Sequence, residues 1–134
     1  MSNEVNEVNN EVYVERRKRW TAALRSGEYK QADGYLNYNG SYCCLGVACD
    51  LYMKEVGQGE WKDSGWDNNS YAFMGKADLP PEQVMEWLGL SEESGTYCDT
   101  EGLSYSLADE NDNGASFSDI ADTIDSNPKG LFNV

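Results

Sequence analysis

The sequence contains no histidine. Histidine is the side chain whose ordinary pKa lies closest to neutrality, and it is the commonest general acid or base in enzymes. It is also the most frequent metal ligand, so its absence removes two kinds of site together. Carboxylates alone do not restore a catalytic pair, because the sequence does not determine the distance between them. We therefore expect a protein that is not an enzyme, with no cofactor and no metal.

Long apolar runs are absent as well. No stretch approaches the roughly 20 residues that a membrane-spanning helix needs. The first residues, Met1 to Glu4, contain no basic residue and open no apolar stretch, so no signal peptide is predicted and we expect the cytoplasm. The chain has 134 residues, of which 40% are hydrophobic and 12% aromatic, as is typical of one folded domain. We predict a flexible arm over residues 1–11, which repeat Asn-Glu-Val, and a single globular domain over residues 12–134.

Positive charge is scarce and unevenly placed. Ten Lys and Arg residues stand against 24 Asp and Glu residues, which gives a formal net charge of −14. Over residues 78–134 the single base, Lys129, faces 13 acidic residues. Such a field repels phosphate backbones and anionic membranes and attracts basic protein surfaces. We expect a partner protein with a basic surface, and no direct binding to nucleic acid or membrane. The alternative is that the acidity serves only solubility.

Periodicity and turn residues predict an α+β fold. Helical patterns span residues 12–26, which end before Gly27, and residues 44–56, which are apolar nearly all round and therefore buried. Gly46 in the second helix would let another backbone come close. The Asn39-Gly40 pair predicts a two-stranded hairpin over residues 35–42, and residues 71–74 predict a third strand beside it.

Three further short helices are predicted in the second half. One follows Pro80-Pro81, one includes Leu103, Leu107 and Ala108, and one begins after Ser116, whose pairing with Asp119 resembles a capping box. The prediction is thus a small antiparallel sheet of two or three strands packed against four or five short helices.

The chain has four cysteines, of which Cys44 is the one thiol that suggests chemistry. It begins the predicted buried helix, where the helix dipole favours a thiolate. The run from Cys43 to Tyr52 is similar to the nucleophile helix of NlpC/P60-type papain-like peptidases. That chemistry needs a histidine to accept the thiol proton, so the resemblance implies an inactive relative with that fold. The alternative, a buried structural cysteine, is the one we expect.

Residues 109–114 match the opening of a calcium-binding loop, D-x-[DN]-x-[DN]-G. The later positions do not fit, because Ser116 stands where an aliphatic residue belongs and Ile120 where a bidentate Glu is needed. We expect instead a turn between two helices, in which Asn113-Gly114 supplies the positive φ.

The carboxylates of the C-terminal half are the leading candidate binding residues. Those of the last helix are spaced three apart, which places them near one side. We expect a continuous negative surface that docks onto a basic protein or imitates DNA phosphates; a merely solvated face is the alternative. The residues are Asp109, Glu110, Asp112, Asp119, Asp122 and Asp125.

A second hypothesis is a pocket for a small anionic ligand such as a nucleotide signal, which the protein would sequester. Aromatic faces would hold the base and guanidinium groups the phosphate. The residues are Arg16, Arg17, Arg19, Trp61, Trp66 and Tyr71.

Three motifs follow one another along the chain. They are Leu24-Arg25-Ser26-Gly27-Glu28-Tyr29-Lys30-Gln31, Tyr42-Cys43-Cys44-Leu45-Gly46-Val47 and Asn111-Asp112-Asn113-Gly114-Ala115-Ser116-Phe117. Their order and spacing resemble a family of small proteins encoded by tailed bacteriophages and prophages, over about residues 20–132. The resemblance implies a setting, the cytoplasm of an infected bacterium, rather than a reaction. By analogy with other small phage proteins, we expect an accessory protein that inhibits or modulates a host protein of a defence system or of nucleic-acid metabolism.

Overall fold

The computed structural model describes residues 2–66 and 68–134, with side chains from residue 10 onward. Over these residues the fold is α+β, as predicted. The helices are α1 (Ser2–Arg25), α2 (Cys44–Val56), α3 (Glu82–Leu88), α4 (Leu107–Asp112) and α5 (Phe117–Asp125). The strands are β1 (Asn37–Tyr38), β2 (Ser41–Tyr42), β3 (Trp61–Asp63), β4 (Ser70–Phe73), β5 (Thr96–Cys98) and β6 (Ser104–Ser106). They form a four-stranded and a two-stranded antiparallel sheet, so the prediction of two or three strands was too low.

Helix α1 begins at Ser2, well before the predicted start near Val12, and at 24 residues it is not short. No glycine or proline precedes Gly27, so no helix-breaking residue limits the helix to the part after Val12. Gly27, with φ of 80°, follows its end. The side chains of residues 1–9 lie outside the described residues, and the expectation of a flexible arm over residues 1–11 stays a prediction.

The larger sheet is built around the Asn39-Gly40 turn. The two turn residues have φ of 53° and 84°, as a type I′ hairpin turn requires. The predicted third strand is β4, which pairs with β1, and β3 completes the order β2-β1-β4-β3. Strand β3 was not predicted, because three residues, of which only Trp61 is half-buried, are too few to show an alternating pattern.

The smaller sheet occupies a segment that was predicted as a loop running into a helix. Strands β5 and β6 pair with Tyr97 opposite Tyr105, and α4 begins only at Leu107. Leu103 therefore lies outside the helix to which it was assigned. The connection carries no Asn-Gly type signal; it is held by Asp99 Oδ1, which accepts hydrogen bonds from the backbone N–H groups of Glu101 and Leu103.

Helix α2 lies at the centre of one hydrophobic core. Its first half is completely buried, as its apolar circumference predicted. A Cβ on Gly46 would overlap the carbonyl group of Leu36, so the predicted close approach of another backbone is confirmed. The indole of Trp20 donates a hydrogen bond of 2.9 Å to the Cys44 carbonyl and so joins α1 to the start of α2.

Helix α5 begins with the predicted capping box. Ser116 accepts from the Asp119 N–H group, and the Asp119 carboxylate accepts from the Ser116 N–H group. Its apolar face is buried, which leaves its carboxylates on the outside. None of the helices in the described part of the chain has the length and apolar character needed to cross a membrane.

Candidate binding surface

The arginines at the middle of α1 bind the C-terminal end of α3. Arg16 Nη1 donates to the Trp87 carbonyl and Arg17 Nε to the Leu88 carbonyl, both at 2.9 Å. These carbonyls are among those that a helix leaves without an internal partner at its C-terminus. The guanidinium of Arg17 also lies 3.8 Å from the centre of the Phe132 ring. Both arginines therefore hold α1, α3 and the C-terminal segment together.

The remaining α1 arginines form ion pairs within the protein. Arg19 Nη2 lies 2.7 Å from Glu55 Oε1 at the end of α2. Arg25 bridges two carboxylates of α5, with 2.7 Å from Nη2 to Asp122 Oδ1 and 2.7 Å from Nη1 to Asp125 Oδ2. Hydrogen bonds to both carboxylates raise the pKa of Arg25.

The six residues of the predicted anionic-ligand pocket are distributed over separate contacts. Trp61 Nε1 donates to Asp50 Oδ1 at 3.1 Å, Tyr71 lies in β4, and Trp66 is 80% exposed between β3 and β4. No hydrogen bond or cation–π contact among the described residues joins them to the three arginines. The guanidinium groups assigned to phosphate binding are already bonded to protein atoms.

The six predicted acidic residues lie on α4 and α5. Asp122 and Asp125 are engaged by Arg25, as described above. The other four, Asp109, Glu110, Asp112 and Asp119, form no ion pair with a cation in the part of the chain that the structure describes. The predicted continuous surface thus has a part in which Arg25 offsets one of two negative charges and a part whose carboxylates have no described cation partner.

Residues 109–114, the half-match to a calcium loop, form the end of α4 and the turn before α5. Asn111, which would be a ligand in such a loop, points inward and is only 1% exposed. Gly114 has φ of 101° whereas Asn113 has φ of −96°, so the predicted turn is confirmed with the positive φ at Gly114 alone. Within the described residues, no three acidic or cysteine side chains are grouped to hold a metal ion.

Cys44 is fully buried at the first residue of α2, with its Sγ 3.7 Å from the Leu107 carbonyl oxygen. Burial raises the pKa of Cys44 well above its ordinary value. Cys43 caps the same helix, where its Sγ accepts from the Gly46 N–H group, and burial raises the pKa of Cys43 to about 11. Desolvation therefore outweighs the helix dipole, and the expectation of a buried Cys44 is confirmed.

A half-buried polar cluster joins α2 to the sheet. Asp50 accepts hydrogen bonds from the Tyr29 hydroxyl at 2.6 Å and from Trp61, and it lies 3.0 Å from Lys54 Nζ. Burial and the Asp50 hydrogen bond raise the pKa of Tyr29 to about 12, and the contact with Asp50 raises that of Lys54. Burial alone would raise the pKa of Asp50, but its three donors together lower it. These shifts move the pKa of each group further from neutrality, so the cluster is suited to stabilising the fold.

Two tyrosines of the β5–β6 hairpin adjoin α4, and sequence analysis missed both. They are Tyr97 and Tyr105, whose rings stack with their centroids 5.7 Å apart. Tyr97 donates to Glu110 Oε1 at 2.8 Å, which fixes the hairpin against α4. A groove of about 410 Å³ runs between β6 and α4, lined by Tyr105, Asp109 and Glu110. The available signal was the alternation Thr96-Tyr97-Cys98 and Ser104-Tyr105-Ser106, which is short but has the period of a strand.

Comparison with known proteins gives one family. The model of a family described as a domain of unknown function (DUF8296) matches residues 12–128. No curated protein and no solved structure matches the chain.

Proposed function

The chain belongs to the DUF8296 family, and we propose that it acts without catalysis, by binding a partner protein with a basic surface. The proposed site is the acid-rich side formed by α4, α5 and the β5–β6 hairpin. The proposed setting, to which the resemblance of the motifs points, is the cytoplasm of a phage-infected bacterium, where the partner is a host protein. Binding would inhibit or modulate that host protein.

The observation that carries the proposal is where the protein uses its few cations. Arg16 and Arg17 bind backbone carbonyls of α3, and Arg19 binds Glu55. Arg25 pairs with Asp122 and Asp125 at the edge of the acidic side. The three carboxylates of α4, Asp109, Glu110 and Asp112, pair with no described cation, in a chain whose formal net charge is −14. A field of one sign steers an oppositely charged partner and speeds association.

The chemistry available to the chain supports binding over catalysis. The thiol at the start of α2 is buried, which raises the pKa of Cys44 well above its ordinary value. In the Tyr29–Asp50–Lys54 cluster the pKa of Tyr29 and of Lys54 is raised and that of Asp50 is lowered, so each lies further from neutrality. The chain has no histidine to move a proton in their place. A binding role needs none of these groups to react.

The test combines capture of the partner with matched charge variants. The tagged protein is used to isolate partners from a bacterial lysate, and the affinity for the purified partner is measured by calorimetry at low and high salt. A triple variant, Asp109→Asn, Asp112→Asn and Asp119→Asn, keeps side-chain size and capping acceptors while removing three charges. We expect its Kd to rise about tenfold or more, with a shallower salt dependence.

The control triple variant is Glu11→Gln, Glu82→Gln and Glu86→Gln, which makes the same change of net charge at exposed positions of α1 and α3. We expect its Kd to change less than about twofold beyond the effect of net charge. Equal effects of the two variants, or an affinity that is indifferent to salt, would contradict the proposal.

A further inference from the structure

One face of the β5–β6 hairpin is only partly covered, because Tyr97 packs against the core and bonds to α4 while Tyr105 stays exposed. It carries the stacked rings of Tyr97 and Tyr105, and Tyr105 is 43% exposed. Leu103, two positions before Tyr105, is 56% exposed. On the opposite face Ser106 is buried, and Cys98 and Ser104 lie with Sγ and Oγ 3.8 Å apart. Exposed aromatic rings grouped with an aliphatic residue are typical of contact surfaces.

Carboxylates surround the exposed ring. The Tyr105 hydroxyl donates to Asp99 Oδ2 at 3.2 Å, and the Tyr97 hydroxyl donates to Glu110. Asp109 and Glu110 form the wall of the groove that faces Tyr105. No described cation pairs with these three carboxylates. An aromatic face bordered by unpaired carboxylates is the environment that a guanidinium group prefers, through cation–π attraction and paired hydrogen bonds.

The volume of the groove and its negative charge limit which ligands can occupy it. At about 410 Å³ it lies near the lower end of the range of ligand pockets, roughly 300–1,000 Å³, and accommodates a long side chain rather than a helix. A phosphate-bearing ligand would meet Asp109 and Glu110 and be repelled. A second copy of this chain is a poor source of the cation, because the arginines of α1 are bonded internally.

We infer that the groove between β6 and α4 receives an arginine side chain from an extended segment of the partner protein. Its guanidinium group lies over the ring of Tyr105 and against the carboxylates of Asp109 and Glu110, and an apolar neighbour of the arginine packs on Leu103. Arginine fits better than lysine, because its planar group both stacks on a ring and forms paired hydrogen bonds with carboxylates. The inference rests on the proposed function and specifies the partner chemistry of the same acidic side.

The probe is a short, capped Gly-Ser peptide that carries two arginines, compared with otherwise identical peptides that carry lysine or the uncharged citrulline. Binding to the full chain is followed by NMR, on the ring signals of Tyr97 and Tyr105. We expect the arginine peptide to bind at least about threefold more tightly than the lysine peptide, and the citrulline peptide not to bind. The variant Asp109→Asn with Glu110→Gln should weaken the arginine peptide about tenfold.

Ring variants separate stacking from charge. Tyr105→Leu should weaken the arginine peptide roughly threefold to tenfold, whereas Tyr105→Phe, which keeps the ring, should retain most of the binding. Tyr38→Leu, which removes an exposed tyrosine from the other sheet, is the matched control and should change nothing. Melting temperatures identify any variant that is unfolded. If Tyr105→Leu is unfolded, the binding of the arginine peptide to Tyr105→Phe and to the double carboxylate variant tests the inference instead.

Equal binding of the arginine and lysine peptides, or loss of binding in Tyr38→Leu as large as in Tyr105→Leu, would overturn the arginine groove. If the partner nevertheless responds to the Asp109, Asp112 and Asp119 variant, the proposed function stands and the inference alone fails. If the partner is indifferent to that variant as well, both fail.

Discussion

Gln31 and Asn111 are joined by a hydrogen bond of 2.9 Å from Nε2 to Oδ1, although 80 positions separate them in the chain. The same Asn111 oxygen accepts a hydrogen bond from the Cys44 N–H group at 3.1 Å. The Nδ2 atom of Asn111 donates a hydrogen bond to the Ala32 carbonyl at 2.8 Å. One buried amide thus connects the segments that carry the three sequence motifs, which are residues 24–31, 42–47 and 111–117. These three segments therefore contact one another around the Asn111 side chain.

Replacing Asn111 with leucine should therefore lower the free energy of unfolding of the protein. The Cys44 N–H group and the Ala32 carbonyl would lose a buried partner, at roughly 1–3 kcal/mol each. We expect the free energy of unfolding, measured with urea, to fall by about 3 kcal/mol. Asn113→Leu, at the exposed end of the same helix, is the comparison and should cost much less. Similar losses for the two variants would show that the Asn111 network contributes little.

Gly46→Ala tests the contact between α2 and the Leu36 backbone. Helix propensity alone predicts a gain of about 1 kcal/mol, because alanine is the better helix former. The added Cβ would overlap the Leu36 carbonyl, and forced overpacking of this kind typically costs 1–3 kcal/mol. We expect a net loss of stability in thermal or urea unfolding. A variant as stable as the parent protein would mean that the two backbones separate at no cost.

Thiol labelling tests the burial of the cysteines. Cys43, Cys44 and Cys49 are buried, and burial raises the pKa of each, whereas Cys98 is only half-buried. A neutral, inaccessible thiol does not react with iodoacetamide. We expect one residue, Cys98, to be alkylated in the native protein and all four in urea, as counted by mass spectrometry. Cys98→Ser should abolish native labelling; rapid native alkylation of Cys44 would revive the hypothesis of a reactive thiol.

Alkaline titration tests the tyrosine contacts. Burial, followed by a hydrogen bond to a carboxylate, raises the pKa of both Tyr29 and Tyr97 to about 12. A tyrosine that holds its proton more tightly when folded contributes stability below its ordinary pKa of about 10, and this contribution is lost as the pH rises through about 12. We expect the unfolding free energy to decrease over that interval.

In the corresponding absorbance titration, Tyr29 and Tyr97 should be the two tyrosines that ionise last. The pKa of Tyr42 is also raised, by burial, and that of Tyr105 by its hydrogen bond to Asp99, but with smaller shifts. Tyr29→Phe and Tyr97→Phe should each remove one of the last two, and unfolding in urea should bring all tyrosines back to ordinary values. A late phase that keeps its full amplitude in both single variants would assign it to other residues.

Local chemistry accounts for the elements that were predicted from sequence. The Asn39-Gly40 turn, the apolar circumference of residues 44–56 and the Ser116–Asp119 capping box each act within a few positions, so a pattern of residue types was enough to locate them. Strands β3, β5 and β6 were missed because they depend on contacts with other segments of the chain rather than on local residue patterns. They are three residues long, and what makes them strands is pairing with another segment and packing against α2 or α4.

Residue types and their spacing were therefore enough to predict the α+β class, the central helix, the first hairpin and the excess of negative charge. The three-dimensional fold determines which carboxylates are paired with a cation, since Arg25 reaches Asp122 and Asp125 across about a hundred positions. It likewise placed Tyr105 beside Asp109 and Glu110, on two elements whose adjacency no local pattern encodes. Charge is additive along a chain, but an ion pair or a groove requires two groups to meet in space, and packing of the whole core determines which groups do.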